Sequence, residues 1–358
     1  MTKTIVLTGG GTAGHVTPNL ALIPLLLADG WKIHYIGSHA GMERELVAKA
    51  FPEIPYHGID SGKLRRYLDL KNLTDPFRVI RGAFQAFSLI RRIRPSVLFS
   101  KGGFVSVPAV VGAWMNRVPV VTHESDLTPG LANRLTLPMA KTACATFPTA
   151  AKGFGEKGVC TGSPIREALF SGSREKGLKL CGFAREGKPI LMIMGGSLGA
   201  RAINECVDQN LPQLLEHFRI LHIRGGDGLN EKLTGIPGYA QFAYLHEELS
   251  DALAASDLVL SRAGANAIWE FCALGLPMLL IPLPLEASRG DQIKNAELFA
   301  SMGYAHVLPQ ERMTGDTLTQ ALCALWRQKD AIVTAQDPAS QRQGLSRLKR
   351  EIEKAAGI

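Results

Sequence analysis

The chain has 358 residues, 46 % of them apolar and 20 % charged, with a net charge of +8. That length suits about two domains with cores of their own, and the composition excludes a disordered, coiled-coil or fibrous chain. The basic excess is one-sided: residues 1–165 carry 19 Lys and Arg against 10 Asp and Glu, a net +9, whereas 166–358 carry 21 against 22, a net −1. The first half is therefore expected to offer a surface to anions.

Residues 4–8, Thr-Ile-Val-Leu-Thr, read as a short buried strand. Gly9-Gly10-Gly11-Thr12-Ala13-Gly14-His15 follows at once, and the apolar stretch 20–27 completes a strand, glycine turn and helix. No apolar leader opens the chain, and no run approaches the roughly 20 apolar residues of a spanning helix, so synthesis in the cytosol is expected. Further short apolar strands are expected at 32–36, 97–100, 118–122, 190–194, 220–223, 258–261 and 278–281, alternating with helices as in a parallel sheet covered on both faces. The strand at 190–194 repeats the opening pattern with Gly195-Gly196-Ser197-Leu198-Gly199-Ala200 and a helical segment through 215. Two such openings about half a chain apart predict two doubly wound domains, divided near Gly162-Ser163-Pro164 and facing a cleft. The six cysteines, 144, 160, 181, 206, 272 and 323, form no close pairs and are expected to be reduced thiols.

Between 63 and 94 the chain carries nine basic and two acidic residues. At about 100° per residue, Phe77, Ile80, Ala83, Phe84, Phe87 and Ile90 share one side of a helix, with Arg78, Arg81 and Arg92 on the other. That apolar side is expected to pack on the sheet. The arginine edge, the Lys63-Leu64-Arg65-Arg66-Tyr67 loop and Trp114-Met115 would then form a basic, partly apolar face.

The first glycine loop fits G-x-G-x-x-G, which lets a diphosphate approach a helix amino terminus. A dinucleotide site also wants Asp or Glu at the end of the second strand, and Tyr35-Ile36-Gly37-Ser38-His39 supplies none, which argues against a dehydrogenase. Three more glycine loops follow strands: 101–104, 195–199 and 261–266. Helix termini converging in this way can stabilise negative charge without a metal. No Asp-x-Asp occurs, and Glu124-Ser125-Asp126 reads as hydrogen-bonding residues at a strand end, so no metal and no cofactor is expected.

Six segments together carry a family resemblance. They are Gly10-Gly11-Thr12-Ala13-Gly14-His15, Lys101-Gly102-Gly103-Phe104-Val105-Ser106, His123-Glu124-Ser125-Asp126, Gly195-Gly196-Ser197-Leu198-Gly199-Ala200, Ser261-Arg262-Ala263-Gly264 through Glu270, and Asp291-Gln292-Ile293-Lys294-Asn295-Ala296. In this order the chain resembles the MurG family, N-acetylglucosaminyltransferases of peptidoglycan synthesis in glycosyltransferase family 28. The resemblance implies a GT-B fold of two Rossmann-like domains: an acceptor and membrane-side domain at 1–163, a UDP-GlcNAc domain at 164–340, and a last helix at 341–358 that packs back on the first. It implies inverting transfer of GlcNAc from UDP-GlcNAc to the 4-hydroxyl of MurNAc in undecaprenyl-diphospho-MurNAc-pentapeptide. It also implies work at the cytoplasmic face of the membrane, as a peripheral protein on an anionic surface.

Site residues carried over from the family make chemical sense. Glu270 would take the uridine ribose hydroxyls, backbone around Ala265 and Asn266 the α-phosphate, and Gln292 the GlcNAc hydroxyls. Arg166 and Ser197 would line the donor side, Thr12, Ala13 and Gly14 the opposing loop, and Asp126 a sugar contact. His15 is the candidate base for the acceptor hydroxyl, with Glu124 the second choice. Two other functions compete: a UDP-GlcNAc 2-epimerase, with the same donor and no lipid acceptor, and a nucleic-acid-binding module, against which the basic stretch shows no recognisable motif, so no nucleic-acid partner is expected.

Overall fold

The structure, a computed structural model, describes residues 3–62, 71–195, 200–285 and 290–358. Two units account for them: residues 1–166 with 343–358, and residues 167–342.

In the first unit seven strands form one parallel sheet: β1 (Thr4–Thr8), β2 (Lys32–Ser38), β3 (Tyr56–Ile59), β4 (Val97–Ser100), β5 (Val120–Glu124), β6 (Thr142–Ala145) and β7 (Gly158–Cys160). Their order is β3-β2-β1-β4-β5-β6-β7. Side chains alternate faces along a strand, so Ile5 and Leu7 of β1 enter one core while Val6 enters another. On the first face lie Leu22 and Leu26 of the helix Ala13–Ala28 and Leu345, Leu348 and Ile352 of the helix Gly344–Ala356. Burying each of those large apolar side chains is worth about 2 kcal/mol. The Lys349–Asp29 ion pair, which joins that helix to the end of the helix Ala13–Ala28, is exposed to solvent screening, so the apolar stripe holds the chain end in place. Gly344 has no room for a side chain because the Ser163 carbonyl lies against it, which ties the 163–166 stretch to this unit.

The helix Lys71–Ile93 corrects the expected facing. Its buried line is Gly82, Ala86 and Ile90, whereas Phe77, Ile80 and Phe84 are 73, 55 and 61 % exposed. Small residues decide this. Gly82 sits against the Asp60 carbonyl, and a side chain on Gly112 of the neighbouring helix Ser106–Met115 would stand 2.8 Å from Ala86 Cβ. Close backbone approach along Gly82, Ala86 and Gly112 turns the larger apolar residues outward, against what an apolar count predicts. Trp114 and Met115, at the end of the helix Ser106–Met115, are exposed as well. The 63–67 loop lies outside the described residues.

The second unit holds β8 (Ile190–Met194), β9 (Arg219–Ile223), β10 (Tyr239–Phe242), β11 (Leu258–Ser261), β12 (Met278–Leu280) and β13 (Ala305–Val307). They run parallel in the order β10-β9-β8-β11-β12-β13. Leu191, Ile193, Leu258 and Leu260 meet Ile203 and Val207 of the helix Arg201–Gln209 and Leu318, Leu322 and Leu325 of the helix Gly315–Arg327 in one core. Each sheet therefore points its strand ends, and the loops after them, to one edge, where ligands of such folds bind.

Candidate active site

In the first unit the loops after β1, β4 and β5 meet. Thr12 is the cap residue of the helix Ala13–Ala28 and His15 is its third residue. Thr12 Oγ1 lies 2.9 Å from His15 Nδ1. Desolvation, aided by the Lys101 charge, lowers the His15 pKa to about 4, against smaller opposing effects of Glu124 and the Gly10 carbonyl. His15 is therefore neutral across the ordinary working range, with a ring nitrogen able to accept a proton. The β4 loop closes directly on the first: Gly103 has no room for a side chain because the Gly10 carbonyl lies there, and a Cβ would stand 3.3 Å from His15 Nδ1.

Glu124, at the end of β5, is buried. Its Oε1 accepts the Asp126 N–H at 3.0 Å, and its Oε2 accepts the Gly130 N–H at 2.9 Å and Asn133 Nδ2 at 2.9 Å. Both oxygens thus shape the loop that carries Asp126, and Oε1, with one bond, keeps an acceptor site. Asp126 is half-buried beside them. Lys101, the first residue after β4, is only 2 % exposed. Burial pushes its ammonium pKa down while Glu124 and Asp126 pull it up.

In the second unit the loop after β11 is held from behind. Ser261 Oγ donates to the Met194 carbonyl at 2.6 Å, and buried Arg262 donates to the Ile281 carbonyl at 3.1 Å and to Gln310 Oε1 at 2.7 Å. Asn295 Nδ2 donates to the Ala263 carbonyl at 3.2 Å, which brings the helix Asp291–Ser301 against the start of the helix Ala265–Leu274. Gly264, its cap residue, has no described residue within 4 Å of where a Cβ would be, and the first turn has neither a side-chain cap nor an acidic residue. The amide donors and positive end of a helix start are what a phosphate needs.

Ala265 and Asn266 form this first turn, and Glu270 stands about one turn further along the same helix. Gln292 is the second residue of the helix Asp291–Ser301, and its Oε1 accepts the Leu283 N–H at 3.1 Å. That engagement leaves its NH2 group and one lone pair of Oε1 for a ligand. Arg166 is the last residue of the first unit's main stretch. Thr12, Gly14, His15, Glu124 and Asp126 thus gather in one unit, with Ala13 heading the same helix, and Ala265, Asn266, Glu270 and Gln292 in the other. Ser197 lies outside the described residues. Among the described residues no three His, Cys, Asp or Glu side chains group as metal ligands would.

Sequence reading missed Glu43, Lys101 and Asn133. The carboxylate sought at the end of the second strand stands five residues beyond Ser38, on the helix Met42–Ala50, where it faces the glycine loop. Lys101 was visible inside a motif, but its burial was not.

Residues 5–145 match the glycosyltransferase family 28 N-terminal domain, and residues 190–352 match the family 28 C-terminal domain. A UDP-N-acetylglucosamine–N-acetylmuramyl-(pentapeptide) pyrophosphoryl-undecaprenol N-acetylglucosamine transferase of Bacillus thuringiensis subsp. konkukian is 52 % identical over 354 residues, 99 % of this chain and all of that protein. The crystal structure of Acinetobacter baumannii MurG superposes with a TM-score of 0.75 at 25 % identity, covering 98 % of this chain and 99 % of that one. A Neisseria meningitidis UDP-GlcNAc 2-epimerase shares the architecture alone, at a TM-score of 0.68 and 13 % identity over 98 % of this chain and all of that one. The fold is GT-B, two Rossmann-like parallel-sheet domains, and the chain belongs to the MurG family of N-acetylglucosaminyltransferases within glycosyltransferase family 28.

Proposed function

We propose that this chain transfers GlcNAc from UDP-GlcNAc to the 4-hydroxyl of MurNAc in undecaprenyl-diphospho-MurNAc-pentapeptide. The observation that carries the reading is 52 % identity to a transferase of that name along the whole of both chains. Likeness to the epimerase, at 13 % identity, extends to architecture only and gives no ground for that activity.

The second unit takes the donor in this reading. The start of the helix Ala265–Leu274 receives the diphosphate, Glu270 the ribose hydroxyls, and Gln292 donates to the sugar. Ser197, on the family resemblance, and Arg166 join the donor contacts. The first unit takes the acceptor, with Thr12, Ala13, Gly14 and Asp126 near the sugars. The acceptor oxygen bonds to C1 of GlcNAc as the C1–O bond to UDP breaks, and the hydroxyl proton passes to neutral His15. One displacement inverts the anomeric carbon. UDP leaves with its new charge on the helix end, a form of electrostatic stabilisation that suits a chain without Asp-x-Asp.

A membrane-bound acceptor also gives the exposed Phe77, Ile80 and Phe84 a use. With Arg78, Arg81, Trp114 and Met115 they form a basic and apolar surface on the first unit, suited to an anionic membrane. No helix among the described residues is long and apolar enough to cross a membrane. The deciding experiment incubates the chain with radiolabelled UDP-GlcNAc and a lipid-linked muramoyl-pentapeptide, with and without EDTA. Label in the lipid product in both arms is expected. No label in lipid, or UDP-ManNAc as the product, would overturn the reading, and loss of transfer in EDTA would overturn its metal-free part.

A further inference from the structure

Glu43 is fully buried, yet no step above uses it. Its Oε2 accepts the Gly11 N–H at 3.2 Å, and its Oε1 accepts the Ser38 N–H at 2.9 Å and the Ser38 hydroxyl at 2.5 Å. Gly10 and Gly41 are shaped around this one carboxyl group, and Gly37 lies against both Tyr56 and the Glu43 side chain. A Cβ on Gly10 would stand 2.5 Å from its carboxyl carbon, one on Gly37 would stand 2.9 Å from its Cγ, and one on Gly41 would meet its Oε1. None of the three has a positive φ, so space, not backbone conformation, requires glycine there.

The other end of the same turn is fixed too. Tyr35 donates its hydroxyl to the Gly9 carbonyl at 2.6 Å, and Asn19 Nδ2 donates to Tyr35 Oη at 3.0 Å and to the Thr8 carbonyl at 3.2 Å. Between these anchors the Gly10 carbonyl stands beside the His15 ring, since a Cβ on Gly103 would meet that carbonyl and lie 3.3 Å from His15 Nδ1, which is 2.9 Å from Thr12 Oγ1. Charged groups bearing on the ring are Lys101 after β4 and Glu124 on β5. The carboxylate occupies, from behind, part of the amide cradle that in a nucleotide-binding loop of this type would hold phosphate.

We infer that Glu43 is a positioning residue for His15: by holding the Gly10–Gly11 turn it fixes the orientation and tautomer of the imidazole that takes the acceptor proton. The inference rests on the base role given to His15. Glu43→Gln keeps the size but sets an NH2 group against N–H and O–H donors. In the full-length chain it should leave cooperative unfolding, UDP affinity and the KM for UDP-GlcNAc within about twofold, and lower kcat by about tenfold or more. The His15 ring signals in ¹⁵N-histidine spectra should pass from one tautomer to a mixture. Gly10→Ala, which displaces the carboxylate without removing its charge, should do the same and is the variant to read where Glu43→Gln does not fold.

Turnover within twofold of the parent, unchanged His15 signals, an equal loss of donor affinity, or failure of both variants to fold would overturn the inference. An active His15→Ala enzyme would instead overturn the base role, and the histidine spectrum of Glu43→Gln would still report whether Glu43 sets the ring.

Discussion

The loop after β1 and the loop after β11 both join a parallel strand to a helix through glycine, but they present opposite electrical situations. Behind Gly10 stands the Glu43 carboxyl group, already bonded to the Gly11 amide. Where a Cβ on Gly264 would stand, no described residue comes within 4 Å, and the helix that follows has no side-chain cap. One loop has taken its anion from the protein, and the other leaves room for one to arrive. On the proposed reading, the same residue type marks a loop that holds His15 and a loop that receives a diphosphate.

The largest expected effect separates these roles. His15→Ala should lower turnover by about a hundredfold or more, with UDP affinity nearly unchanged by calorimetry. A parallel loss of UDP binding would break the division of labour. With a His15 pKa of about 4, native turnover should show no acid limb from His15 between about pH 6 and 8. In the other unit, Glu270→Ala should weaken UDP by roughly 1.5 to 3 kcal/mol, ten- to a hundredfold, if charged hydrogen bonds to the ribose are lost. Unchanged affinity would mean that the ribose is held elsewhere.

Charge divides the halves as well, and Arg78→Glu with Arg81→Glu should weaken co-sedimentation with anionic vesicles by roughly thirtyfold at low salt, at about 1 kcal/mol per basic residue. Donor binding should be retained. Sedimentation that does not change would assign the basic excess to another partner. Gly264→Ala sharpens the loop comparison directly. No described residue stands where the methyl group would go and φ is −71°, so the melting temperature should hold, while UDP affinity falls by about tenfold as the approach to the helix start is narrowed.

How much of this was legible in the sequence depended on the range of the interaction. Thr4 to Thr8 and Ile190 to Met194 announced themselves as strands because β-branched and apolar residues run straight into glycine. The motifs that lead to His15 and to Glu270 start at the ends of β1 and β11, so their side of the sheet could be read, whereas Gln292 is twelve residues past the end of β12 and was reached through the resemblance alone. Glu43 could not, because its partner Gly11 is 32 residues away and only the β1–β2 pairing brings them together. The outward turn of Phe77, Ile80 and Phe84 was hidden for a related reason: Gly82, Ala86 and Gly112 contribute little to an apolar count, yet their smallness sets which face approaches the neighbouring helix.

A smaller effect concerns stability against pH. Burial lowers the pKa of His15 to about 4 and of His222 to about 3, and lowers those of His34, His57 and His123 as well. For a group whose folded pKa lies below its unfolded value near 6.5, the unfolded chain binds the proton first as pH falls, so the native state loses stability below about pH 6.5. His34 Nδ1 and His57 Nε2 lie 3.0 Å apart across β2 and β3 with Lys32 and Arg92 nearby, which makes a second positive charge there costly. The melting temperature should drop between pH 7 and pH 5, by less in His57→Gln than in the parent chain. A level or rising melting temperature would contradict this.

The contrast between the two loops is tested most directly by amide hydrogen exchange with and without UDP. Protection should appear at residues 264–270 and leave residues 9–15 unchanged. Protection at 9–15 with none at 264–270 would mean that the first glycine loop is the nucleotide site, and the assignment of donor and acceptor to the two units would be wrong.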